Sequence, residues 1–254
     1  MTGAHRMPIF DAHFHIVDPR FPVIPNQGYV PPPFTVTDYL ERVRGLGVTG
    51  GVVVSGSFHG FDQSYLLDAL ALLGPGFVGV TQLPATVTDD EITRLNDAGV
   101  RGIRFNLRRG GSESADHLGT LARRVHDVAG WHTELYVDAR TLPTLTGTIA
   151  ALPAVSIDHL GLSAAGLPHL AALVDRGVRV KATGFGRVDF DVAPVLRAVA
   201  DRNPHALMFG TDLPSTRAPR PFLDADVEIV TDTLGPELAA RALHDNAAQF
   251  YRMR

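Results

Sequence analysis

Two histidines near the start of the chain and one aspartate near its end are the residues best suited to chemistry. His13 and His15 close a short apolar run, and side chains two residues apart on a β-strand point to the same face. Asp212 ends a second strand-like run about two hundred residues later. Two imidazoles and a carboxylate that meet in space could bind one metal ion, or could activate water by acid–base catalysis.

Length, charge and cysteine content restrict the class of protein. A chain of 254 residues can form one large domain with a full core, and we expect residues 1–254 to form a single domain. The net charge of −4 comes from 23 basic and 27 acidic residues spread along the chain, which argues against nucleic acid or a membrane as partners. The sequence has no cysteine, and its start lacks the apolar run of a signal peptide. We therefore expect a cytoplasmic protein.

Short β-rich runs alternate with segments of helical periodicity along the chain. Eight strands are predicted, over residues 9–13, 51–55, 77–82, 102–106, 133–137, 155–159, 178–182 and 207–211. Apolar residues at three and four spacing predict helices between them, over residues 36–46, 63–73, 89–98, 115–129, 142–152, 167–174 and 190–200. Residues 234–251 predict an additional C-terminal helix.

This alternation predicts an α/β fold with a parallel sheet. The predicted strands are nearly continuous in apolar residues, as expected for strands covered on both faces. Eight units suit a closed (β/α)8 TIM barrel, whereas a doubly wound open sheet would favour a glycine-rich phosphate loop after the first strand, which is absent. We therefore predict a single TIM-barrel domain, with the proline-rich loop at 20–33 long enough to roof a pocket.

Polar side chains gather where the predicted strands end, and these are the ends at which TIM barrels carry their active sites. The candidates are His13, His15, Ser55, Ser57, His59, Arg104, Arg108, Arg109, Tyr136, Asp158, His159, Lys181, Arg187 and Asp212. Arg104 lies inside a strand, so its guanidinium requires an anionic partner from the protein or from a ligand. Lys181 and Asp158 could form a structural ion pair or could take part in catalysis.

Three motifs resemble the amidohydrolase superfamily, in its amidohydrolase 2 branch. They are DAHFH at 11–15, IDHLG at 157–161 and FGTDLP at 209–214. Two further segments, at 53–60 and 99–107, are similar to the 2-pyrone-4,6-dicarboxylate lactonases. The resemblance covers the whole predicted barrel and implies a hydrolase that opens a lactone.

The resemblance also implies a role for each candidate. Asp212 would be the base that activates water, and His13, His15 and His159 would polarise the lactone carbonyl. Substrate-binding side chains implied by the resemblance are Arg104, Arg187, Arg108 or Arg109, Ser57, His59, Tyr136 and Tyr29. Arginines in this set would hold a carboxylated small molecule, because a guanidinium binds a carboxylate with two parallel hydrogen bonds.

The candidate residues are compatible both with a single metal ion and with metal-free catalysis. In place of a lysine the fourth predicted strand ends in Asn106, and Tyr136 stands where the family places a third metal-binding histidine, so we expect no binuclear centre. His13, His15, His159 and Asp212 could hold one divalent ion such as Zn²⁺ or Mn²⁺, and they could also work without one. We predict that no cofactor is obligatory.

One departure and two alternatives qualify the predicted function. After Asp212 the chain reads LPSTR, where the lactonases have tryptophan, proline, histidine and asparagine. We therefore predict a carboxylated cyclic ester as the substrate class, without assigning the pyrone. The alternatives are a metal-dependent decarboxylase of the same branch and a barrel that binds a small acid without turnover. The sequence gives no oligomeric state.

Overall fold

The computed structural model describes residues 7–253, and its centre is a ring of eight parallel strands. Each strand pairs with the next in chain order, from β1 to β8. The strands are β1 Ile9–Phe14, β2 Val48–Val54, β3 Phe77–Thr81, β4 Val100–Asn106, β5 His132–Tyr136, β6 Val155–Ile157, β7 Arg179–Ala182 and β8 Leu207–Phe209. The predicted TIM barrel is confirmed.

Helices follow the strands and cover the outside of the ring. They are α1 Val36–Val43, α2 Ser64–Leu73, α3 Asp89–Asp97, α4 Leu118–Ala129, α5 Leu142–Ala150, α6 Leu167–Val174, α7 Val192–Arg202, α8 Ala225–Ala240 and α9 Asn246–Phe250. Among residues 7–253, no helix is both long and apolar enough to cross a bilayer.

The C-terminal helix is present, but its predicted bounds of 234–251 are wrong. Helix α8 begins nine residues earlier, at Ala225, and a π-helical turn at Arg241–Asp245 separates it from α9. Gly235 interrupts α8 with a φ of 73°, and Pro236 follows it. The residues before Gly235 form the eighth barrel helix, which the sequence analysis did not predict.

The first and last strands are joined at their C-terminal ends by backbone hydrogen bonds. The Asp212 amide donates to the His13 carbonyl at 2.7 Å, and the His15 amide donates to the Leu213 carbonyl at the same distance. The Asp11 carboxylate reinforces this seam by accepting from the Thr211 amide at 2.8 Å. The two ends of the sequence are thereby held in fixed register.

The N-terminal end of the barrel interior is apolar and sealed. Phe10 and Met208 pack there with valines of β2 and β3. Tyr251, just beyond α9, is buried and stacks on Phe10 with 6.0 Å between ring centroids. A pocket inside this barrel can therefore open only at the opposite, C-terminal end, as the predicted site requires.

The prediction of nearly continuous apolar strands is wrong for β4 to β7. These strands alternate. Ile103, Phe105 and Leu135 pack in the hydrophobic core outside the ring, while Arg104 and Lys181 are buried and both form ion pairs with buried Glu134. A closed barrel places alternate side chains in its interior, and here the interior layer next to the mouth is charged.

Candidate functional site

The predicted base and the predicted histidines meet at the C-terminal mouth of the barrel. One carboxylate oxygen of Asp212, Oδ1, lies 3.9 Å from His13 Nε2 and 4.0 Å from both His15 Nε2 and His159 Nε2. All four side chains are buried. Asp212 Oδ1 and His13 Nε2 have no hydrogen-bond partner among the described residues, so both are directed at the space between them.

A β-bulge in β1 aims both histidines inward. Between Asp11 and Phe14 the strand has one residue more than its partner β2, because Asp11 pairs with Gly51 and Phe14 with Val53. Phe14 turns outward and stacks on Tyr39 of α1, with 3.7 Å between the ring centroids. His13 and His15, on either side of Phe14, turn to the interior.

Asp11 holds this bulge, and the sequence analysis assigned it no role. Its carboxylate accepts from the His13 amide at 3.2 Å, from the Thr211 hydroxyl at 2.7 Å and from the Tyr39 hydroxyl at 3.0 Å. Burial raises the pKa of Asp11 to about 6, although these hydrogen bonds oppose the rise. The sequence does indicate such a role, because a carboxylate within a buried strand needs several hydrogen-bond donors.

Asp212 is fixed in a backbone conformation that few residues adopt. Its φ is 59°, in the left-handed region where aspartate and asparagine are tolerated. Arg187 Nε donates to its second oxygen, Oδ2, at 2.6 Å. Burial raises the pKa of Asp212 and the Arg187 cation lowers it, with burial the larger effect. Oδ1 remains free to accept a proton.

The three histidines are neutral. Burial lowers the pKa of His15 to about 3 and lowers the pKa values of His13 and His159 well below the usual range. His15 Nδ1 donates to the Val54 carbonyl at 2.7 Å, and His159 Nδ1 lies 2.8 Å from the Thr183 hydroxyl. Neutral imidazoles near a carboxylate can donate to a developing oxyanion or accept from water.

A buried ion network lies directly beneath the histidines. Arg104 Nη2 donates to Asp158 at 2.7 Å, and its Nε lies 3.3 Å from Glu134. Lys181 pairs with Glu134 and lies 3.8 Å from Asp158. The anionic partner that Arg104 requires is therefore supplied by the protein.

Glu134 is the member of this network that sequence reasoning missed. It stands directly opposite Arg104 in the register of β4 and β5. The pKa of Glu134 is raised to about 7, mainly by burial and further by the negative charge of Asp158. The argument applied to Arg104, that a charge inside a strand needs a partner, would have found it.

The cavity above the network has a positively charged rim. Its lining includes Ser57, Arg104, Arg109, Tyr136, Arg187 and Arg217. Among the described residues no carboxylate lies within 4.0 Å of a guanidinium nitrogen of Arg109 or Arg217. Such a rim favours an anionic ligand.

The proline-rich loop reaches across this cavity. Arg217 Nη2 donates to the side chain of Asn26 at 2.9 Å and to Ser57 Oγ at 3.0 Å. The Arg217 guanidinium also lies over the Tyr29 ring, 4.6 Å from its centroid. Arg217, which lines the cavity, thus ties the loop that carries Tyr29 to the rim.

Of the predicted substrate-binding residues, Arg108 and His59 do not line this cavity, and Arg187 lines it but is paired within the protein. Arg108 is exposed and lines only an outer cavity, whereas Arg109 lines the inner one. His59 lies below the rim: its Nε2 is 3.0 Å from the Ile16 carbonyl, and its Nδ1 accepts from the Gly56 amide. Arg187 lines the cavity, but its Nε is committed to Asp212.

Side chains that could hold a divalent ion are present. Ligand atoms of His13, His159 and Asp212 lie within 4.8 Å of one another, and so do those of His13, Glu134 and Asp158. These distances suit a divalent ion, but the contact made by the other ring nitrogen of His13, Nδ1, does not. A metal-ligating histidine normally donates from that nitrogen to a carbonyl or carboxylate, whereas His13 Nδ1 faces the Lys181 ammonium at 3.1 Å. Both sets contain His13, so neither fits a bound divalent ion.

Both the sequence and the fold are similar to those of known hydrolases. A family model described as amidohydrolase matches residues 10–253. The 4-sulfomuconolactone hydrolase of Rhizobium radiobacter is 30% identical over 95% of this chain and 89% of its own length. The 2-pyrone-4,6-dicarboxylate hydrolase of Comamonas testosteroni is 35% identical over 59% of this chain, and the match spans about half of that relative (51%). A candidate 2-pyrone-4,6-dicarboxylic acid hydrolase from Pseudomonas putida has a solved structure that superposes with a TM-score of 0.83, at 27% identity over 98% of both chains.

Proposed function

Because the chain belongs to the amidohydrolase family, we propose that it is a hydrolase that opens a lactone bearing acidic groups. The observation that carries the proposal is the free Oδ1 of Asp212, which faces three neutral imidazoles at 3.9–4.0 Å below an arginine-lined rim. Relatives named for hydrolysis of a pyrone dicarboxylate and of a sulfomuconolactone support it.

The proposed reaction uses Asp212 as the general base. Its Oδ1 takes a proton from water as the water oxygen bonds to the lactone carbonyl carbon. Imidazole N–H groups stabilise the resulting oxyanion. The ring C–O bond then breaks, and the proton returns from Asp212 to the departing oxygen. The new carboxylic acid then releases its proton to solvent, so the ring-opened product carries one carboxylate more than the substrate.

Arginines at the rim supply the proposed binding energy for the acidic groups. Arg109 and Arg217 offer guanidinium groups to a carboxylate or sulfonate, with Ser57 and Tyr136 beside them. Arg104 lines the floor, while its ion pairs hold the network in place. A substrate carrying more than one acidic group suits this distribution of charge.

We propose that the reaction needs no obligatory metal ion. The polarising groups are then the imidazoles alone, and the water is activated by the carboxylate. We also propose a cytoplasmic site of action, consistent with a sequence that has no cysteine to form disulfides.

An activity panel tests the function. Purified protein is incubated with lactones that carry two acidic groups, one, or none, with and without a chelator, and ring opening is followed by base consumption. We expect hydrolysis of the diacidic lactones, slower hydrolysis of the neutral ones and no effect of the chelator. Decarboxylation of the acids, or activity lost with the chelator, would contradict the proposal.

The pH dependence offers a sharper test of the base. Asp212 must be ionised to act, so kcat/KM should rise with pH as its carboxylate loses its proton. Arg187 stabilises the ionised form, so Arg187→Gln should raise the pKa of Asp212 and move this acidic limb to higher pH. The measurement is the pH profile of kcat/KM for both proteins. If the acidic limb stayed in place or moved to lower pH in Arg187→Gln, a group other than Asp212 would control it.

A further inference from the structure

Lys181 is the only lysine in the sequence, and it is completely buried inside the barrel. Its ammonium pairs with Glu134 and lies 3.1 Å from His13 Nδ1. The Tyr251 ring lies 5.8 Å away on the sealed side of the barrel. The single lysine of the chain therefore sits directly under the first histidine of the site.

The contact between Lys181 and His13 determines which ring nitrogen carries the proton. An ammonium has three donors and no acceptor, so a nitrogen within hydrogen-bond distance of it must accept. Carboxylate oxygens of Glu134 and Asp158 lie 3.6 Å from Nδ1, beyond hydrogen-bond reach. His13 Nδ1 is therefore unprotonated, and the proton of the neutral ring is on Nε2, which faces Asp212.

His15 has the opposite tautomer. Its Nδ1 lies 2.7 Å from the Val54 carbonyl, which can only accept, so Nδ1 carries the proton and Nε2 is bare. The pair of histidines therefore presents one N–H donor and one acceptor toward Asp212 Oδ1. A donor suits an oxyanion, and an acceptor suits an attacking water.

We propose that Lys181 is a positioning residue that fixes His13 as an Nε2–H donor for the oxyanion and so prevents His13 from ligating a metal. The oxyanion part of this inference rests on the proposed hydrolysis. The tautomer and the exclusion of metal do not, and they can be measured without substrate.

Long-range ¹H–¹⁵N spectra of the protein labelled with [¹⁵N]histidine test the tautomer. The His13 signals are identified by their loss in His13→Gln. We expect the pattern of a ring protonated at Nε2 for His13 and at Nδ1 for His15. A His13 ring protonated at Nδ1 would overturn the proposal, whatever the outcome of the lactone panel.

Lys181→Met tests the exclusion of metal. Without the ammonium, His13 can move its proton to Nδ1 and offer Nε2 to an ion, so affinity for Zn²⁺, measured by calorimetry, should rise about 10–100-fold. On an accepted substrate kcat should fall about 100-fold with little change in KM, as for loss of one oxyanion donor. Lys181→Gln, whose amide can still donate to Nδ1, should recover much of kcat.

Two further variants keep the test decisive. If Lys181→Met is unstable, Lys181→Met with Glu134→Gln removes one charge of each sign and should show the same gain in Zn²⁺ affinity. Arg179→Met is the matched control, because it removes a half-buried cation from the same strand that contacts Phe250 and not His13. Equal Zn²⁺ affinity in the unaltered protein and in both Lys181 variants would overturn the proposal.

Discussion

Asp212→Asn is expected to reduce kcat by about 10²–10⁴-fold, the range typical for loss of a positioned general base. An amide has the shape of the carboxylate but cannot take a proton from water. Asparagine also tolerates the left-handed backbone at this position, where φ is 59°, so the fold should be retained. The measurement is steady-state kinetics on the best lactone of the panel, with circular dichroism to verify folding.

Asp97→Asn is the matched control for that substitution. Asp97 is an exposed aspartate at the end of α3, distant in the fold from the mouth of the barrel, and its loss should leave kcat unchanged. If Asp212→Asn hydrolysed the lactone as fast as this control, Asp212 would not be the base. The imidazoles would then have to be reconsidered as proton acceptors.

The meeting of His13, His15 and Asp212 could be predicted because it follows from topology alone. In a closed ring of parallel strands all C-terminal ends lie at one rim, and here backbone hydrogen bonds join the end of β1 to the end of β8. Residues that end the first and last strands are therefore neighbours, whatever their separation in sequence. The bulge that aims the histidines could not be read from spacing, because it depends on the register with β2.

The partners of the arginines were less predictable than their positions. Sequence reasoning placed Arg104 and Arg187 at strand ends and expected both to hold substrate. The structure commits Arg104 to Asp158 and Arg187 to Asp212. A guanidinium pairs with the nearest desolvated carboxylate, and that choice depends on distances across the barrel. The hydrogen bond from Arg217 to Asn26 joins two loops far apart in sequence, and neither loop's sequence indicates it.

The first part of α8 was missed although its periodicity is present. Val227, Val230 and Leu234 have the three and four spacing of a helix face, and Val230 and Leu234 are buried. The sequence analysis began its last helix at Leu234 and so left out residues 225–233. Gly235 and Pro236 interrupt α8 and separate the eighth barrel helix from the C-terminal extension.

Arg104→Met is expected to lower the free energy of unfolding by about 3–5 kcal/mol, the cost of removing one partner from a buried ion pair. The guanidinium donates to Asp158 at 2.7 Å, lies 3.3 Å from Glu134 and donates to the Ser55 carbonyl at 2.9 Å. Although burial alone would raise the pKa of Asp158, the Arg104 cation holds it well below the usual range, and the Lys181 cation adds to this effect. Without Arg104, two buried carboxylates would share a single lysine. Urea denaturation at neutral pH measures the loss.

A double substitution and a surface control separate charge burial from lost packing. Arg104→Met with Asp158→Asn removes one charge of each sign, so it should recover most of the lost stability if the uncompensated carboxylate is the cause. If packing of the guanidinium were the cause, the double variant would be no more stable than the single one. Arg94→Met breaks an exposed pair with Glu91 and should cost at most about 1 kcal/mol. Equal losses for Arg104→Met and Arg94→Met would mean that water reaches the network, and the neutral histidines above it would then no longer be explained by burial.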